Sequence, residues 1–102
     1  MPDRYAASWA ELCRRVLDGP ATTSATLRRQ VAVREGVPEP LRAYVDKLHD
    51  GAFAITDADV AALRQAGFDD DAVFELTASA AVGAASLRCA RALALLDEGD
   101  DA

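Results

Sequence analysis

His49 is the only histidine in the chain, so general acid–base chemistry of the usual kind has to pass through it. It stands in Lys47-Leu48-His49-Asp50-Gly51, where a helical pattern ends. A cationic imidazole beside the negative end of a helix dipole is a common structural choice, and that reading outweighs the catalytic one. Cys89 has Arg88 and Arg91 close by in sequence, which lowers a thiol pKa only if they also approach it in space. Residues one and two apart on a helix point in different directions, so a buried structural thiol is the expectation there. Cys13 and Cys89 lie 76 positions apart, which leaves neither a CxxC pair nor a zinc-type cluster. A disulfide between them is conceivable, but free, partly buried thiols are expected. The pairs Arg14-Arg15 and Arg28-Arg29 read as solvated faces or intersubunit ion-pair partners. No glycine-rich phosphate loop, Ser-His-Asp order or HExxH pattern occurs, so no cofactor or metal is expected.

The elements carrying these residues read as helices throughout. Trp9, Leu12, Cys13, Val16 and Leu17 line one face of a helix over residues 5–18, stopped by Gly19-Pro20. Thr23 or Ser24 caps a second helix with Leu27, Val31 and Val33 inward, ended by Gly36. After Val37-Pro38-Glu39-Pro40, Leu41, Tyr44, Val45 and Leu48 set the period of a third helix that stops near Gly51. Thr56 with Asp59 resembles a capping box for a fourth, with Val60, Ala61 and Leu63 inward and Gly67 closing it. Asp69, Asp70 and Asp71 then favour the amino end of a long last helix over residues 70–96. Residues 76–87 of that helix carry no charge and little bulk, and a helix apolar all round is normally surrounded by protein, here by a second subunit on one side. The fold class is all-α, a bundle of about five helices.

With 102 residues the chain is one domain, residues 1–102. Its 23 alanines and 6% aromatic content favour closely spaced helices over a large aromatic-lined pocket. Lys and Arg total 11 against 17 Asp and Glu, a net charge of −6, which together with an acidic tail over 97–102 repels a phosphate backbone and argues against nucleic acid. That tail reads as a solvated, frayed end. The longest charge-free run, residues 76–87, is 12 residues, short of the ~20 needed to span a bilayer, and no secretory signal pattern opens the chain. No membrane association and a cytoplasmic location are therefore expected.

The string over residues 55–77, Ile55-Thr56-Asp57-Ala58-Asp59-Val60 through Ala66-Gly67-Phe68-Asp69-Asp70-Asp71 to Phe74-Glu75-Leu76-Thr77, resembles the helix pair of the carboxymuconolactone decarboxylase and alkylhydroperoxidase-D-like (AhpD-like) superfamily. It combines a cap, a helical period, a glycine stop and a second acidic cap, and the small-residue helix after it, with Arg88, extends the likeness over residues 37–96. The resemblance implies an all-helical subunit that assembles as a dimer, trimer or hexamer, with redox or decarboxylase activity in many members. Peroxidase members use a Glu, a CxxC pair and a His. Cys13 and Cys89 do not fall at that motif, and His49 precedes the matched string, so thiol peroxidase activity is not expected. The resemblance then points to a non-redox or degenerate member acting as an oligomeric structural or accessory subunit, in company with itself or with a longer relative that keeps the CxxC pair. The alternative is a small decarboxylase or isomerase that uses His49 or Cys89 in a different site.

Overall fold

The computed structural model describes residues 3–101, with side-chain surroundings for residues 6–96. Five α-helices follow one another: α1 (Asp3–Asp18), α2 (Ala25–Val33), α3 (Leu41–Asp50), α4 (Asp57–Gln65) and α5 (Asp70–Asp101), with one 3₁₀ turn at Ala52–Ala54 between α3 and α4. The fold is all-α, as expected.

The helix ends follow local chemistry. Ser24 caps α2 by accepting from the Leu27 N–H at 3.1 Å. Thr56 and Asp59 form a reciprocal capping box on α4, and Lys47 of α3 donates to the same Asp59 carboxylate at 2.8 Å, tying α3 to α4. At the other end of α4 the Phe68 N–H reaches the Leu63 carbonyl and the Gly67 N–H that of Arg64, the paired bonds of a Schellman motif, with Gly67 at φ +101°. Asp69 caps α5 through the Ala72 N–H at 2.8 Å.

α2 departs from its expected end. It stops at Val33, and Arg34, not Gly36, takes the first left-handed position, at φ 66°. Its guanidinium is held by Asp46 and Asp50 on α3, exposed ion pairs that offset part of the ~1–2 kcal/mol that a non-glycine residue loses in that conformation.

The core is formed by Val31 of α2, Leu41, Tyr44 and Val45 of α3, Leu63 of α4, and Leu76 and Ala80 of α5, with Val37 closing the α2–α3 link. α5 packs against every other α-helix and most extensively against α2. The crossing is close because Gly83 sits on the Ala32 carbonyl, where a Cβ would fall 2.0 Å from the oxygen. Thus one side of the small-residue stretch is covered by α2 of the same chain.

α1 is only half-covered. Trp9 is 37% and Leu12 47% exposed, so the apolar face read from the sequence does not all turn inward; Ala61 of α4, also expected inward, is exposed too. The bundle is shorter than its longest helix. At 1.5 Å per residue α5 runs ~48 Å, close to the 52 Å long axis of the molecule. The radius of gyration of 15.4 Å exceeds the ~13 Å of a compact 100-residue domain for the same reason. Every residue from Leu87 to Leu96 is exposed. The backbone of the expected frayed tail continues α5 as far as Asp101, and its side chains lie outside the described surroundings.

Candidate functional site

His49 sits on the last turn of α3 and is buried, 7% exposed. Its Nε2 lies 3.0 Å from the Val31 carbonyl oxygen of α2, and since a carbonyl only accepts, the ring donates there. The His49 carbonyl in turn accepts from the Arg88 guanidinium of α5 at 2.7 Å, which satisfies one of the last orphan carbonyls of α3. His49 and Arg88 are thus a three-helix joint that fastens α2, α3 and α5.

Cys89 is next to Arg88 in sequence but is exposed, so the expectation of a buried thiol is corrected: the bundle ends before α5 does. No hydrogen bond joins it to His49, Arg88 or Arg91 among the described residues. Cys13 is half-buried, with Sγ 3.9 Å from Ser86 Oγ, and both cysteines are free thiols. Cys13 lines an apolar cleft of about 230 Å³ between α1, α2 and α5, together with Leu17, Val33, Val82 and Leu87.

The arginine pairs are spent inside the chain. Arg14 and Arg15 pair with Glu11, and Arg29 with Asp18, whose carboxyl the Arg29 hydrogen bond holds below its usual range. Arg28 is not solvated at all. It is 4% exposed, donates Nη1 to the Val16 carbonyl at 2.7 Å near the end of α1, and keeps a buried Nε without a partner among the described residues.

No local pattern marks the best-connected carboxylate. Glu75 of α5 accepts from the N–H and hydroxyl of both Thr22 and Thr23, at 2.7–3.0 Å, and so straps the α1–α2 loop to α5. Burial pushes its pKa up, but the four donors outweigh that and bring it down to about 2. The only legible signal was Thr22-Thr23 in a short loop, which says nothing of a residue more than fifty positions away.

Large apolar side chains are exposed as well: Phe53 of the 3₁₀ turn is 95% exposed, and Val33 of α2, expected inward, 57%. Phe74 is 72% exposed, Leu87 and Leu93 57%, Leu95 62% and Leu96 65%, all on α5. The segment Asp70–Leu96 has an apolar window of mean hydropathy 1.3, long and apolar enough to cross a membrane by length and composition, which a count of unbroken charge-free residues did not register. Scattered exposed leucines are ordinary; of the five large apolar side chains on α5, Phe74 and Leu96 share one side, whereas Leu87, 13 residues or about 3.6 turns beyond Phe74, lies on a different side. No family model, curated protein or solved structure matches this chain.

Proposed function

We propose that this protein is a non-catalytic, self-associating subunit, a helical bundle whose role is structural or accessory within an oligomer. The observation that carries this reading is the exposed apolar surface of α5, from Phe74 to Leu96, in a chain whose polar groups are largely engaged internally. It agrees with the non-redox reading of the AhpD-like resemblance, which rests on residues 55–77 and the helix that follows. The catalytic alternative needs His49 to face a cavity. Its ring is instead bonded to Val31, and the main clefts among the described residues are lined by other side chains.

Native mass across a micromolar concentration series tests the proposal. A mass that rises to a discrete multiple of the 10.8 kDa chain supports it. A monomer through the whole range, with no partner retained from the native host, overturns it.

A further inference from the structure

Along α5, Phe74, Ala78, Ala81, Ala85, Ala92 and Leu96 recur, with Cys89, every three or four residues, and so share one side of the helix. That side faces away from the bundle. Ala85 comes nine residues after the buried Leu76, two and a half turns at ~3.6 residues per turn, which is the opposite face. Phe74, Ala81, Cys89, Ala92 and Leu96 are exposed, and Ala78 and Ala85 half-buried. Between Ala72 and Leu96 the helix has only three charged residues, Glu75, Arg88 and Arg91. Glu75 is tied to Thr22 and Thr23, and Arg88 to the His49 carbonyl, while Arg91 lies six residues, or five-thirds of a turn, beyond Ala85 and projects to the bundle side. Arg88, three residues after Ala85 and four before Ala92, borders this face and is exposed, with its guanidinium turned back to the His49 carbonyl.

The arrangement is symmetric about Ala85. Position 74 answers 96, position 78 answers 92 and position 81 answers 89, with the two bulky residues at the ends and small ones between. Resting on the reading of a self-associating subunit, we infer that two copies pair through this face, their α5 helices antiparallel and the twofold axis passing at Ala85. Phe74 of each copy packs on Leu96 of the other, and the alanines let the helix axes approach closely. A second copy is the occupant that this face itself specifies, since a twofold contact needs one patch complementary to itself. The stripe runs ~33 Å, and two helices of ~10 Å diameter in contact over that length bury on the order of 1,000 Å², the lower bound for a specific interface. The dimer is accordingly concentration-dependent.

The test is thiol cross-linking of the full chain with a short bismaleimide. In a Cys13→Ser, Cys89→Ser background, Ala85→Cys should yield mostly covalent dimer. Cys89 alone, in Cys13→Ser, should yield little, because its nearest counterpart on the partner is at position 81, leaving the two Cys89 residues ~12 Å apart along the axis. Adding Ala81→Cys to that protein should restore the dimer. Circular dichroism of each variant checks that it is folded. Efficient cross-linking through Cys89 alone, with none at Ala85→Cys, overturns this pairing while leaving self-association standing. A protein that stays monomeric and floats with vesicles of phosphatidylcholine and phosphatidylglycerol overturns both.

Discussion

Gly83 of α5 lies directly on the carbonyl of Ala32 in α2, with no room between them for a methyl group. In an isolated helix a change from glycine to alanine gains up to ~1 kcal/mol. At this crossing the added Cβ would overlap the Ala32 oxygen, forcing the two helices with the most extensive contact apart. Gly83→Ala is therefore expected to cost about 1–3 kcal/mol net, as overpacked cores do, and to lower the Tm by roughly 4–8 °C for each kcal/mol. Thermal unfolding followed by circular dichroism measures it, and an unchanged or raised Tm would show that α2 does not cross there.

Glu75 makes stability depend on pH in a predictable direction. Its folded pKa of about 2 lies below the ordinary 4.5, so the folded state holds the carboxylate more tightly than the unfolded chain does. The contribution is complete above 4.5 and is lost as the pH falls toward about 2. Glu75→Gln should therefore be less stable than wild type at pH 7, by about 1–2 kcal/mol given the solvent at the strap, and the difference should shrink between pH 5 and 2. Urea unfolding at a series of pH values reads this, and a constant gap would remove the carboxylate's charge from the explanation.

His49 is predicted to matter for folding. His49→Ala leaves the Val31 carbonyl without its donor and empties a buried site, a loss of about 2–3 kcal/mol. Arg88→Ala removes only a donor from the His49 carbonyl and should cost about 1 kcal/mol. Chemical denaturation of both variants checks the order. An Arg88 variant worse than the His49 one would put the weight of the joint elsewhere.

The two thiols should differ in reactivity. Cys89 is exposed and Cys13 half-buried, so a disulfide-exchange reagent should find one fast and one slow thiol per chain in dilute solution. Because Cys89 lies on the proposed dimer face, its rate should fall as protein concentration rises. A rate independent of concentration would place it outside any self-association surface.

The parts of this fold that were readable beforehand are those settled within a few residues. Ser24, the Thr56–Asp59 box and Gly67 each satisfy backbone groups one turn away, and the period of Leu41, Tyr44, Val45 and Leu48 fixed the buried face of α3. The misread residues answer to distant partners. Arg28 looks like a surface cation until the end of α1 is laid against it, and Glu75, to which the sequence assigns no role, gains its partners only when the Thr22-Thr23 loop folds over it. Arg34 takes a position suited to glycine because two aspartates on α3 hold it there. Trp9 and Leu12 read as core because periodicity gives the side of a helix and is silent on how far its neighbour extends. For His49 the place at a helix end suggests a contact with the helix dipole, whereas its ring bonds to the Val31 carbonyl eighteen positions away on α2, and the exposure of Cys89 depends on α5 outrunning the bundle.

Sedimentation velocity on wild type and Ala85→Glu tests most directly whether the outer face of α5 joins copies of this chain. Wild type should shift from monomer to dimer as its concentration rises through the micromolar range. Ala85→Glu, which puts a charge at the centre of the face without touching the core, should remain folded and associate at least tenfold more weakly. Wild type that stays monomeric, or a variant that dimerises as well as wild type does, would contradict the account.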